Sequence, residues 1–523
     1  MESASILNDV LGPVMRGPSS SHTAGAFHIA LLARSLLGAA PTRAAVWFDP
    51  SGSYGACYRQ QGADLAFAAG LMGWTMADER FGDALRIAAD AGLALEFGLR
   101  TLPEADHPNT MDIELSGADG RTLSLRANSV GGGAVEIVRL AGWRVRFTGD
   151  AHEIAVETAP GREAAIAELL SRDGAALRQP ESQARAGRAL VAARRRAPLP
   201  PDAAAAMEGL AVWTTQPVFF VRVGPPLFAS AAEMLERAME RGDSLGHVAL
   251  DYEAELLGIS RDAVLAEVAR RLDVMGRAVQ RGLAPSGHAM QFLEPSAGAI
   301  FAAEAAGRLV GGGIHTRAAA RALAAMQVNS SMGVVCAAPT GGSAGTLPGV
   351  LVTLIEEKGL SREAASLAFL AAGAVGVVVA NRATFAAEVA GCQVEIGAAG
   401  AMAAAAVVEA AGGTAQQAAD AAAVAFQNAM GSVCDLVQGA VEIPCHTRNA
   451  AAAATALLCA DLVLGGYRNP IPLDETIDAV YAVGRMLPPE LRCTALGGLA
   501  ATPSAHALKP RAAPRRNTDG DPA

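Results

Sequence analysis

Ala365-Ser-Leu-Ala-Phe-Leu-Ala-Ala-Gly-Ala-Val-Gly-Val-Val-Val-Ala380 decides how the C-terminal half of this chain folds. The run is mostly apolar for about 16 residues, short of the ~20 that a bilayer-spanning helix needs. It therefore reads as a buried core helix, and its alanines favour both helix and close packing. The same character extends outward. From Ser230 to about Arg485 the pattern is mostly helical, with little strand propensity. It is interrupted at Pro285-Ser-Gly287, Gly311-Gly-Gly313 and Pro339-Thr-Gly-Gly-Ser-Ala-Gly345.

The first 150 residues read differently. Gly17-Pro18 stops the chain, Ser19-Ser-Ser21 offers helix caps, and His22 to Leu37 has a helical period. Ala44–Phe48, Met111–Leu115, Thr122–Ala127, Val135–Leu140 and Trp143–Gly149 read as strands. Asp64–Leu71 and Phe81–Ala91 read as helices. The expected class is α+β: an N-terminal α/β domain over 1–150, then a large all-α domain over 230–504. Between them, 151–229 is expected to be a linker or degenerate segment, with a helix at Ala164–Leu170, a strand at Val218–Val223 and a linker across Arg178–Pro201. Residues 505–523, polar and Pro-rich, are expected to be a disordered tail.

Composition excludes several functions. The 523 residues carry a net charge of −10, which argues against a nucleic-acid-binding surface. Arg194-Arg-Arg196 then reads as solvated linker. The seven cysteines are odd in number and irregularly spaced. Met1–Pro13 carries Glu2 and Asp9 and lacks a basic n-region, so a cytoplasmic, reducing location with thiols or metal ligands is expected, and no membrane span. Lysine occurs only at Lys358, in a helix-end sequence, and at Lys509, in the tail. Pyridoxal phosphate is held through a lysine Schiff base, so that cofactor is excluded.

Four motifs carry chemistry. Gly17-Pro-Ser-Ser-Ser-His-Thr23 places hydroxyls and free amides at a helix start, more than capping needs, which suits a carboxylate or phosphate, with His22 able to move a proton. Asp106-His-Pro-Asn-Thr110 offers His107 and Asn109, or simply an Asx-turn. Asn329-Ser-Ser-Met-Gly333 leads into Ala338-Pro-Thr-Gly-Gly-Ser-Ala-Gly345, where Asn329, Thr340 and the glycine amides could meet an anion; no Walker sequence follows. Last come Cys392 in Gly-Cys-Gln-Val-Glu, Cys434 in Met-Gly-Ser-Val-Cys-Asp and Cys445 in Ile-Pro-Cys-His-Thr-Arg-Asn. Their spacing matches no zinc-finger or ferredoxin pattern. On spacing alone, inert buried thiols and a metal site both stay open, and inert packing leads.

Taken in order, Gly-Pro-Ser-Ser-Ser-His-Thr-Ala-Gly, Asp-His-Pro-Asn-Thr, Asn-Ser-Val-Gly-Gly-Gly, Ala-Pro-Thr-Gly-Gly-Ser-Ala-Gly, Gly-Cys-Gln-Val-Glu and Pro-Cys-His-Thr-Arg-Asn-Ala resemble the iron–sulfur L-serine dehydratases (L-serine ammonia-lyases). Residues 5 to about 150 are similar to the family's β portion and about 230–503 to its α portion. The resemblance implies a [4Fe–4S] cluster on Cys392, Cys434 and Cys445, an N-terminal substrate-binding domain, an all-helical cluster domain and a homodimer. It implies a small amino-acid substrate whose carboxylate meets Ser19, Ser20, Ser21 and Thr23, with His22 and Asn109 nearby. A base takes the α-proton, hydroxide leaves at iron, and the enamine hydrolyses to pyruvate and ammonia. His22 and His107 are the expected catalytic groups, and Asn329 and Thr340 further substrate contacts.

The chain departs from the family pattern in two segments. The family's Gly-His-Gly-Thr-Asp is here Gln60-Gln-Gly-Ala-Asp64, so Gln61, which exchanges no proton near neutral pH, replaces an acid/base histidine. The family's Ser-Gly-Leu-Thr-Gly-Gly-Asp-Ala is here Ser286-Gly-His-Ala-Met-Gln-Phe, which introduces His288 as another candidate base. The family's regulatory segment is absent or unrecognisable in 151–225. These departures leave two further readings: a paralogue eliminating from another β-substituted or hydroxylated small acid, and a silent cluster-bearing sensor. Cys493 is a candidate cap on the cluster.

Overall fold

The computed structural model describes residues 3–285 and 289–511. Ser286, Gly287, His288 and 512–523 lie outside the described residues, and with them the expectations for His288 and for the end of the tail.

Ser5 caps a single turn, Ile6–Val10, by accepting from the Asn8 amide at 3.0 Å. Ile6, Leu7 and Val10 are buried, yet their core is that of the C-terminal helical domain. They lie against the helix Arg362–Arg382, the element predicted from 365–380. Two glycines of that helix admit them: a Cβ on Gly373 would stand 2.5 Å from Ile6 Cγ2, and one on Gly376 2.1 Å from Val10 Cγ1. The first residues of the chain thus serve as a strap across the last domain. β1 (Val14–Arg16) continues the strap, pairing antiparallel with Val334–Cys336.

The N-terminal domain is a six-stranded sheet of β2 (Pro41–Phe48), β3 (Ala94–Leu99), β4 (Thr110–Gly117), β5 (Thr122–Gly131), β6 (Ala134–Leu140) and β7 (Trp143–Phe147). The order is β3-β2-β4-β5-β6-β7, and only β2 and β3 run parallel. Alternation explains its single buried face: Met111, Ile113 and Leu115 of β4 point inward, while Asp112 and Glu114 do not. Helices Gly25–Leu37 and Ala63–Leu71 cover that face.

The structure differs from expectation in 151–229. β8 (His152–Thr158), β9 (Glu181–Arg185), β10 (Arg188–Arg195) and β11 (Ala211–Thr214) form a second, antiparallel sheet ordered β11-β8-β10-β9. With helices Glu163–Ser171 and Pro201–Ala205 this is a ferredoxin-like β-α-β-β-α-β unit. It has its own core of Ile154, Val156, Ile166, Leu170, Val191 and Ala193. The stretch expected as linker carries two of its strands. Charge misled the reading: Arg194 pairs with Asp150 and Glu153, and Arg195 with Asp173, so both arginines are buried rather than solvated. Val218–Val223 forms no strand. Its amides bond to Gly149 O, Asn8 Oδ1 and Leu256 O instead of a neighbouring strand.

The helical domain centres on Arg362–Arg382, packed against Leu245–Leu257, Arg261–Leu283 and Ile396–Ala410. Three helices, Arg362–Arg382, Cys392–Ala410 and Cys445–Leu464, are long and apolar enough to cross a membrane. The first two are 78% and 89% buried inside the protein, which accounts for their apolarity; the third is 44% buried. The expected tail is also packed over its first residues. Gln438 Nε2 donates to Ala505 O and Leu508 O at 2.8 and 2.7 Å, and the Arg511 amide reaches Gln291 O at 2.6 Å. With its sheets in the first half and helices in the second, the chain has the expected α+β class.

Candidate active site

Ser19 is the cap of a π-helical turn, Ser20–Ala24, that runs into the helix Gly25–Leu37; its hydroxyl accepts from the His22 amide at 3.1 Å. The turn is held from outside by Tyr54 and Ser129, whose hydroxyls both donate to Ser21 O at 2.7 Å. Thr23 donates to Gln61 O at 2.6 Å. Gln61 in turn donates to Cys57 Sγ at 3.1 Å and to Gly439 O of the helical domain at 3.2 Å. At this position the amide joins domains, a task histidine's two ring nitrogens do not reproduce while exchanging a proton.

Against this turn lies the loop that begins at Thr340. Thr340 and Ser343 cap each other reciprocally, and Thr340 Oγ1 donates to Glu395 Oε1 at 2.6 Å. The two loops approach closely only because position 341 is glycine: a Cβ there would lie 2.8 Å from Ser20 N. Asn329 sits beneath, its amide donating to Gly341 O at 2.7 Å.

The three cysteines arrive from three elements. Cys392 follows Gly391 and begins a short turn, Cys434 lies in an extended segment, and Cys445 opens the helix Cys445–Leu464. All are buried and share one apolar cluster with Met326, Ile396 and Cys493. Ligand atoms of Cys392, Glu395 and Cys434 lie within 4.8 Å of one another. Arg448 Nη1 donates to Cys392 Sγ at 3.6 Å and to Val433 O at 2.7 Å, and Nη2 pairs with Asp435 at 2.9 Å. Cys493 is brought in by backbone pairing: Cys434 N donates to Leu491 O and Cys493 N to Cys434 O, at 2.9 and 3.0 Å. Contact among the thiols together with burial pushes Cys392 and Cys434 well above the ordinary thiol range, and burial does the same to Cys445.

A narrow cavity separates the cysteines from the serine turn. Ser19, Ser20, Ser21, Gln61, Thr340, Glu388, Glu395, Cys434, Cys445 and Cys493 line it. The structure thus brings six of the expected residues to the cavity wall, Ser19, Ser20, Ser21, Thr340, Cys434 and Cys445, while Cys392 stands directly behind. His22, Thr23, Asn109 and Asn329 are buried one layer back. His107 is not brought to the wall; its Nδ1 accepts from the Asn109 amide at 3.1 Å. Sequence reading missed Glu388, Glu395, Ser53 and Arg448. Glu395 and Arg448 lie inside the quoted cysteine motifs, and Glu388 is a lone carboxylate in an apolar run, a signal in itself.

Glu388 and His22 form a buried pair. Glu388 Oε1 lies 3.5 Å from His22 Nδ1 and accepts from Ser21 Oγ at 2.6 Å and Asn109 Nδ2 at 3.4 Å. His22 Nε2 meets Ser53 Oγ at 3.0 Å. Burial pushes the imidazole below its ordinary range against the pull of Glu388. Burial also raises Glu388, but the ring and the Ser21 and Asn109 donors outweigh it and hold the carboxyl low. Burial lifts Glu395 to about 7.

The family model described as the serine dehydratase alpha chain matches residues 213–500, more than half of the chain. The probable L-serine dehydratase alpha chain of Bacillus subtilis is 39% identical over 283 residues, 54% of this chain and 94% of that protein. The L-serine dehydratase alpha chain of Peptoniphilus asaccharolyticus is 34% identical over 281 residues, 54% of this chain and 96% of that protein. The probable L-serine dehydratase beta chain of Bacillus subtilis is 43% identical over 142 residues, 27% of this chain and 63% of that protein. Resemblance to both kinds of chain thus resides in one polypeptide, and the protein belongs to the serine dehydratase alpha-chain family.

Proposed function

We propose that the protein is an iron–sulfur L-serine ammonia-lyase that dehydrates L-serine to pyruvate and ammonia. One observation carries the reading: Cys434 and Cys445 face the same cavity as a triple-serine turn from another domain, with Cys392 in the same buried cluster directly behind them. The donor set suits a metal centre. Crowded thiols whose pKa values are raised stay neutral by themselves, and a cationic metal is what holds such a group as thiolates. Arg448 adds positive charge on Cys392. Cys392, Cys434 and Cys445 would hold a [4Fe–4S] cluster, and such a cluster supplies Lewis-acid stabilisation of the departing hydroxyl.

The chain's own residues do the rest. The hydroxyls of Ser19, Ser20 and Ser21 and the loop amides at Thr340 would hold the substrate carboxylate, with Thr23 fixing the turn. Asn109 Oδ1 and Asn329 Oδ1 are buried without a hydrogen-bond partner among the described residues, and the substrate's ammonium would supply one. His22 and His107 are the histidines of the site, His22 through its pair with Glu388 and His107 through Asn109. Cys493, beside Cys434, would cap the resting cluster. A centre held by free thiolates calls for a reducing compartment, so the reading includes a cytoplasmic location. The reading includes a homodimer, no pyridoxal phosphate, no nucleic acid and no membrane.

Gln61 favours a second reading, elimination from another β-substituted or hydroxylated small acid. Anaerobic reconstitution with iron and sulfide tests both. Wild type is expected to show cluster absorption and to release pyruvate from L-serine, and Cys392→Ala to do neither. A wild type that binds the cluster but acts only on other acids leaves the second reading, and a wild type with no cluster signal ends both.

A further inference from the structure

Among the described residues lining the cavity, five side chains ionise: Glu388, Glu395, Cys434, Cys445 and Cys493. In the serine-lyase reading, on which this inference rests, Cys434 and Cys445 belong to the metal. Glu395 belongs to the same side, its Oε2 being 4.0 Å from Cys392 Sγ. Cys493 belongs to that side too, its amide donating to Cys434 O at 3.0 Å and its side chain sharing the apolar cluster of the three cysteines. His22 is fully buried, and both its ring nitrogens are engaged by side chains around it. Glu388 is left as the group that both faces substrate and accepts a proton.

Its surroundings suit that task. Ser21, Asn109 and His22 all meet Oε1 and come from the N-terminal domain, whereas Glu388 comes from the helical one. None of these contacts uses Oε2. The carboxylate is therefore oriented only when the two domains are together, and the His22–Ser53 pair stands directly behind it.

We propose that Glu388 is the catalytic base, with His22 as its positioning residue. The Cα–H bond of L-serine breaks and the proton goes to the Glu388 carboxylate. The electron pair becomes the Cα=Cβ bond, and the Cβ–O bond breaks with loss of hydroxide. The proton on Glu388 and the hydroxide leave together as water. The aminoacrylate takes up water and yields pyruvate and ammonia, so the carboxylate is regenerated. Gln61 needs no proton chemistry in this sequence.

The test uses full-length protein, reconstituted anaerobically, as wild type, Glu388→Gln and Glu388→Asp. Glu388→Gln is expected to keep wild-type iron and sulfide and the same absorption change on adding L-serine. Its kcat is expected to fall at least ~100-fold, and exchange of the serine α-hydrogen with deuterated solvent to stop. Glu388→Asp is expected to keep part of the activity with a larger kinetic isotope effect for α-deuterated serine than wild type, because proton transfer becomes slower. A cluster-loaded Glu388→Gln with kcat within about fivefold of wild type overturns the proposal. Should Glu388→Gln lose its cluster, Glu388→Asp decides, an unchanged isotope effect being the overturning result. A wild type that releases no pyruvate overturns the serine reading and this proposal with it, whereas an active wild type beside an active Glu388→Gln overturns the proposal alone.

Discussion

Replacing Glu253 should unfasten the start of the chain from the helical domain. Its buried carboxylate accepts from Ser5 Oγ at 2.5 Å, Ile6 N at 2.7 Å and Leu7 N at 2.9 Å. Tyr252 adds a bond from its hydroxyl to Ala4 O at 2.6 Å. In Glu253→Ala two buried amides lose their acceptor, at ~1–3 kcal/mol each, so the strap should weaken by about 3 kcal/mol. Local opening then becomes roughly 100-fold more frequent, which native-state hydrogen exchange at Ile6 and Leu7 reads directly. Glu253→Gln keeps one carbonyl acceptor, and the Ser5 hydroxyl can turn, so its cost should be nearer ~1 kcal/mol. The strap leads through β1 to the serine turn, so the KM for serine should rise in Glu253→Ala while cluster content stays unchanged. Protection of Ile6 and Leu7 equal to wild type in Glu253→Ala would refute the reasoning.

Three other outcomes follow from the geometry. Gly341→Ala places a Cβ 2.8 Å from Ser20 N and 3.1 Å from Ser19 C, both backbone, so the loops must part; a loss of ~1–3 kcal/mol and a raised KM for serine are expected, and a normal KM would count against the close approach. Arg448→Ala removes the cation on Cys392 and should weaken cluster retention about 10–100-fold, measured as iron released to a chelator, with the apoprotein still folded. His28 is buried with Nδ1 2.8 Å from Gly133 O, and burial lowers its pKa from 6.5 to about 4. A histidine whose folded pKa is depressed contributes stability that is present above 6.5 and lost as pH falls toward 4. His28→Gln should therefore lose about 2 kcal/mol less than wild type between pH 7 and pH 5 in urea unfolding, and equal losses would contradict it.

Elements with a local pattern were legible in the sequence. The helix Arg362–Arg382 announces itself as an apolar run, and β4 and β5 by alternation, because burial of one face repeats every few residues. The serine turn was legible too, since a cap and its free amides are made by neighbours in the chain. The β-α-β-β-α-β unit was missed because its arginines read as solvated, and only tertiary contact supplies Asp150, Glu153 and Asp173 to neutralise them.

By itself, then, the sequence determined the helices and strands whose burial repeats locally, such as Arg362–Arg382 and β4, and which hydroxyls crowd a helix start. The tertiary structure decided that Cys392, Cys434 and Cys445 share one pocket, that Cys493 pairs beside them, and that Glu388 meets His22 across the domain boundary. The reason is physical. Periodic burial is written into adjacent residues, whereas convergence depends on how helices cross and on which distant backbone groups find each other, and no spacing along the chain encodes that.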